Sequence, residues 1–256
     1  MMKKKTFLLV TIGLIILVVF IVAGCSSSTN GEDVVYEINN DGTTDEDDGI
    51  KTSINVRIQN TNDVAWSYKQ NFVNWMIKGG KTFGLGRHTN DNGDYVAIYA
   101  ALRFTNVFIP EGALIKSAHI YWYPHKDLDS DIRLLQDIYA EKAANSLPFN
   151  LSDNETGRPD LRARTSSVCS QYELDSWDRN IEYKVPKDLK DLVQEIVNIP
   201  GWVPGNAMTF FFTNCASDTN GIEYKGYRTV IGYDPDGLGP LFSPRLVVEF
   251  DPPAMD

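Results

Sequence analysis

Histidine and cysteine are scarce in this chain, at three residues each among 256, and cations are outnumbered, with 24 Lys and Arg against 34 Asp and Glu for a net charge of -10. Each shortage excludes something. His88, His119 and His125 do not fall at metal-ligand spacing, and the chain has neither a Gly-x-Ser-x-Gly elbow nor a phosphate-binding loop, so the common signatures of zinc, serine-hydrolase and nucleotide chemistry are missing. Excess negative charge argues against nucleic acid or anionic lipid as a partner, because nucleic-acid binding needs a basic footprint. Carboxylates are plentiful, which leaves a glycosidase or lyase pair as the one enzymatic reading still open; the chain is otherwise expected not to be an enzyme.

Long apolar runs are also missing, with one exception. Lys3, Lys4 and Lys5 precede an apolar stretch from residue 6 to 23 that ends at Gly24 and Cys25. That is a charged n-region, an h-region and a small-residue exit, and the flanking lysines hold their side of the bilayer in the cytoplasm, so the bulk of the chain is expected outside it. Val22-Ala23-Gly24-Cys25 resembles the lipobox of bacterial-type lipoproteins. The resemblance implies that the Cys25 thiol is lipidated and that the protein sits at the cell surface or in the periplasm. An uncleaved membrane helix is the other reading, since about 18 apolar residues approach the length of a span.

Three segments follow from composition. Residues 1–25 form the signal and anchor. Residues 26–52, rich in Ser, Thr, Asn and acid and including Asp45-Glu46-Asp47-Asp48, bury too little apolar surface to order themselves and read as a flexible tether. Residues 53–251 are long enough for one domain with a sizeable core. With Cys25 assigned to lipid, Cys169 and Cys215 are an even pair in an oxidising compartment, where a disulfide is expected; two buried thiols are the alternative.

Within that domain the apolar residues alternate. Ile54, Val56 and Ile58 do so, as do Ile98, Ala100, Leu102 and Phe104; Ala118, Ile120 and Trp122; and Leu246, Val248 and Phe250. Period two with one apolar side predicts half-buried antiparallel strands. The denser run at residues 208–213 predicts a central strand covered on both sides. Turn clusters such as Asn90-Asp91-Asn92-Gly93 and Asp234-Pro235-Asp236-Gly237 separate the segments. One exception has helical spacing, Leu189, Leu192, Val193, Ile196 and Val197, within residues 186–202. The expected fold is all-β, an antiparallel jelly-roll-like sandwich with one short end-capping helix.

Several strings carry a family likeness. Leu102-Arg103-Phe104-Thr105-Asn106-Val107-Phe108-Ile109-Pro110-Glu111-Gly112-Ala113 leads into Ile115-Lys116-Ser117-Ala118-His119-Ile120, and Gly205-Asn206-Ala207-Met208 and Ser243-Pro244-Arg245-Leu246-Val247-Val248-Glu249-Phe250 come later. Over roughly residues 55–250 the chain resembles secreted β-sandwich modules close to the DNRLRE-type domains, which are similar to carbohydrate-binding modules. The resemblance implies a jelly roll and an accessory, non-catalytic role on exported proteins, with polysaccharide as the ligand inferred for some relatives. The chain has no literal DNRLRE string and carries an insertion-like segment at residues 145–164.

Candidate sites follow from the alternation. If Ala118, Ile120 and Trp122 face inward, His119, Tyr121 and Tyr123 face out, and Tyr99 and Arg103 join them if the preceding strand pairs alongside. Flat rings with polar tips and a planar cation are what sugar faces and hydroxyls require. Ordinary cross-strand pairing, or cover by residues 145–164, is the plain alternative. Asp127, Asp129 and Asp131 alternate as at the start of a calcium loop, which makes a structural calcium ion the one cofactor to weigh against a solvated acidic turn. Asp234 and Asp236 read as turn formers. Asn150-Leu151-Ser152 and Asn154-Glu155-Thr156 match the N-glycosylation sequon. The expected function is a membrane-anchored extracytoplasmic protein that binds polysaccharide, with a structural or adhesive subunit contacting envelope proteins as the rival.

Overall fold

The computed structural model describes residues 52–71, 74–126, 134–174, 178–179, 181–214, 226–237 and 239–253. The signal segment with Cys25, the acidic tether, the Asp127, Asp129 and Asp131 loop, and Cys215 lie outside the described residues.

Strands form where apolar and polar residues alternate: β1 (Thr52–Arg57), β2 (Val64–Lys69), β3 (Trp75–Gly79), β4 (Thr82–Thr89), β5 (Tyr95–Phe104), β6 (Leu114–Trp122), β7 (Leu134–Ala140), β8 (Cys169–Leu174) and β9 (Tyr183–Lys184). A helix, α1 (Lys190–Val197), precedes β10 (Met208–Asn214), β11 (Tyr227–Ile231) and β12 (Arg245–Asp251). All pairings are antiparallel. One sheet has the order β1-β12-β6-β9; the other runs β11-β4-β5-β10-β7-β8, with β2 against β5 and β3 against β2. Past Trp122 the chain of β6 goes on to pair with β11, through Ile231 N–H to Tyr123 O and His125 N–H to Thr229 O, which links the two sheets.

The result is the expected all-β sandwich. Its interior is made by the alternating sets, Ile54, Val56, Ala118, Ile120, Val248 and Phe250 from one sheet and Ile98, Leu102, Phe104, Ile138, Phe210 and Phe212 from the other, all buried in one cluster. Trp122 is the cross-sheet contact: its ring lies 5.9 Å from Phe83 of β4 and 5.2 Å from Phe212 of β10. The β10 strand is central, between β5 and β7, as its dense apolar sequence requires.

The helix is shorter than its pattern and sits differently. Before it, the chain follows the edge of β6, with Val185 N–H donating to Ile120 O and Leu189 N–H to Ala118 O, and only then winds into α1. Gln194 binds both partners on that edge, accepting from Ile115 N–H and donating to Ala113 O. Leu192, Val193, Ile196 and Val197 are buried, as the spacing predicts. The helix thus closes a lateral edge, where β6 of one sheet meets β7 of the other.

Residues 141–164 form a strap across the outer face of the larger sheet. Phe149 is buried there against Ala65, Ala101 and Phe211 in a second small core, so Phe211 is covered on the side away from the main interior. Arginines hold the strap down. The Arg162 guanidinium lies 3.9 Å above the Phe149 ring while donating to Leu147 O and Pro148 O, and the Arg158 guanidinium lies 3.6 Å above the Trp75 ring. Stacked arginines of this kind add cation–π attraction to their hydrogen bonds.

Candidate functional site

The short connection Gln59-Asn60-Thr61-Asn62-Asp63 joins the two sheets. Its residues cannot continue a strand, because Asn60 turns its side chain back on the backbone: Asn60 Oδ1 accepts from Asn62 N–H at 2.9 Å and starts a single turn of 3₁₀ helix, Thr61–Asp63. The turn leaves Gln59, Asn60 and Asn62 exposed and drives Asp63 inward, where its side chain is 5% accessible. There it meets Arg103, from near the end of β5, with Nη1 2.6 Å from Asp63 Oδ1 and Nε donating to Ser146 O at 2.9 Å. Thr105 and the strap residue Pro148 complete a cleft of about 420 Å³.

Three side-chain amides and a hydroxyl line this cleft around a partly buried ion pair. Burial pushes the Asp63 carboxyl above its usual range, and the Arg103 hydrogen bond and charge act against that rise without cancelling it. The volume falls within the span of small-ligand sites, whose walls are ordinarily apolar with few polar groups. Here six of the seven lining residues have polar side chains, and their methylenes together with Pro148 supply the apolar part of the wall. Amides offer a donor and an acceptor side by side and the guanidinium offers planar donors, which suits a ligand dense in hydroxyls.

Tyr99, Arg103, His119, Tyr121 and Tyr123, expected together, are not brought together. The β5 and β6 strands belong to different sheets, so Tyr99 and Arg103 lie away from the other three. The intervening stretch is a crossover of nine residues between sheets rather than a hairpin, and no alternation pattern reveals that. Tyr99 is half-buried beside Trp75 at 6.0 Å, next to the strap. Arg103 serves the cleft.

On the smaller sheet, Arg57, Arg245, Tyr121 and Lys184 align in one cross-strand row. The Arg245 guanidinium lies 4.0 Å above the Tyr121 ring and donates from Nε and Nη2 to the two Glu182 carboxylate oxygens, at 2.8 and 2.7 Å. A second arginine, Arg57, stands 3.7 Å from the same carboxylate. Those cations hold the Glu182 carboxyl below its usual range, the Arg245 hydrogen bond being the main cause. Tyr123 packs edge-on against Phe242 at 4.7 Å. His119 is half-buried, with Nδ1 buried and unpartnered. The outer face of this sheet therefore carries a tyrosine ring covered by Arg245, where rings beside Arg103 were expected.

Cys169 has a free thiol, half-buried, with Sγ 3.8 Å from Asp188 O, and the disulfide expected with Cys215 is not seen. Cys215 itself lies outside the described residues; Cys169 on β8 faces Ile138 on β7, which pairs in turn with Phe212 of β10. Among the described residues no group of three or more His, Cys, Asp or Glu is placed to hold a metal ion. Lys81 bonds both Asp234 and Asp236, at 2.8 and 3.3 Å, which makes that pair part of a turn. Asn150 and Asn154 are both exposed on the strap.

Sequence reasoning passed over Gln59, Asn60, Asn62 and Asp63. The available signal was a run of side-chain amides in a short link between two strands; what it lacked was any sign that Arg103 and the strap converge on it. No protein-family model matches this chain, and no curated protein matches its sequence.

Proposed function

We propose that the chain is a non-catalytic carbohydrate-binding module, displayed outside the cytoplasm on its N-terminal anchor, with the Asp63–Arg103 cleft as the binding site. The observation that carries the reading is the lining: amides of Gln59, Asn60 and Asn62 and the Thr105 hydroxyl around a fixed ion pair. A polyhydroxylated ligand replaces the water on such groups one hydrogen bond for another, whereas an apolar ligand would strip them of partners at a cost of about 1–3 kcal/mol each. The net charge of -10 favours neutral over anionic glycans. The jelly-roll likeness and the exported N-terminus fit an accessory role at a surface.

The test is a glycan array probed with the full chain in detergent, beside the double variant Gln59→Ala, Asn62→Ala. These side chains are exposed, so the variant keeps its fold. Selective binding by the parent, lost in the variant, is the expected result. A blank array, or retention of envelope proteins in place of glycans, would turn the reading to the structural-subunit alternative.

A further inference from the structure

Resting on the carbohydrate reading above, we infer that the ligand is an oligosaccharide or longer chain, and that Phe108 is the stacking residue of a second subsite beside the cleft. Phe108 is 46% exposed, although both of its neighbours, Val107 and Ile109, are fully buried. Alternation across this loop pins the backbone and forces the ring outward. The pinning is explicit: Val107 N–H donates to Asn206 O at 3.1 Å, Gly205 N–H donates to Val107 O at 3.0 Å, and the Trp202 indole donates to Ile109 O at 2.9 Å. A ring held this way gives up little conformational freedom when a ligand lands on it, which is what a stacking residue needs.

Gly205 supplies the second half of the arrangement. It sits at φ +93°, and a Cβ built there would lie 3.3 Å from Phe108 Cε1 and 3.7 Å from Cζ. One edge of the ring therefore rests on bare backbone, with no side chain at position 205 to rise over it. Val203, 52% exposed on the same turn, extends the apolar surface. Single exposed apolar residues are commonplace, but this ring stands on a pinned backbone, is backed by glycine and lies close in the chain to the cleft.

The spacing allows one ligand to span both places. Thr105 lines the cleft, and Phe108 follows three residues later, so their Cα atoms are at most about 11 Å apart. That is within the reach of a short sugar chain. The first sugar takes the hydrogen bonds of the amides, and a later one lays its apolar C–H face on Phe108.

The experiment is titration calorimetry of the full chain in detergent with glucan, mannan, galactan and xylan series, each from the monosaccharide to the hexamer. Phe108→Ala is expected to weaken binding of the longer members about tenfold and leave the monosaccharide unchanged, with Phe108→Trp restoring the gain with length. Equal affinity for short and long members, or a loss in Phe108→Ala that is the same at every length, overturns the inference and leaves the cleft standing. No binding in any series, or no effect of Gln59→Ala with Asn62→Ala, overturns the cleft itself.

Discussion

Removing the carboxylate of Asp63 tests whether the cleft's ion pair holds the fold together. Asp63 and Arg103 have side chains only 5% and 13% accessible, and their contact is 2.6 Å. Taking away one partner of a buried pair leaves the other charged and poorly solvated, at a cost of about 3–5 kcal/mol. Arg103 borders the cleft and keeps Ser146 O, so Asp63→Ala belongs at the low end, about 3 kcal/mol. With a urea slope of about 2 kcal/mol per molar, the midpoint falls by about 1.5 M. Replacing both partners, Asp63→Leu with Arg103→Met, removes the desolvation along with the attraction. The raised Asp63 carboxyl says that burial outweighs the attraction here, so the double variant is expected to lie within about 1 kcal/mol of the parent. Equilibrium urea unfolding of the parent, Asp63→Leu, Arg103→Met and the double variant closes the cycle. Additive losses, with the double variant about as unstable as the two singles summed, would refute the reasoning.

Three other outcomes are expected. Glu182 is held below its usual 4.5 by Arg245, so its contribution is complete above that value and fades as pH drops toward the lowered one; Glu182→Gln should flatten the loss of urea stability between pH 5 and pH 3, and an unchanged slope would show the pair to be idle. Gly86 has φ +92°, and a Cβ there would collide with the Gly226 carbonyl oxygen and the Leu134 side chain, so Gly86→Ala should abolish the cooperative thermal transition; a melting temperature within a few degrees of the parent would contradict the geometry. Cys169 should take up iodoacetamide after denaturation without reductant, whereas a Cys169 peptide that is labelled only after reduction would restore the disulfide.

The fold was readable because its signal is local. Alternation at Ile98–Phe104, at Ala118–Trp122 and at Leu246–Phe250 records which side of each strand is oily, and a sheet buried on one side obeys it residue by residue. Sheet membership is not local. Nothing in the 105–113 stretch says that β5 and β6 part company, and pairing them as neighbours merged Tyr99 and Arg103 with Tyr121. The cleft was hidden for the same reason. Gln59 and Arg103 lie far apart in the chain, and the strap that brings Ser146 and Pro148 between them is anchored by Phe149 under Arg162, a contact that periodicity does not encode.

The direction of β1 has a consequence for display. The chain enters the described fold at Thr52 and reaches the cleft's first residue, Gln59, only after running the length of that strand, about 20 Å. The point where the chain enters the described fold and the mouth of the cleft therefore stand at opposite tips of β1, so on the proposed reading a polymer seated in the opening leaves the corner at Thr52 clear.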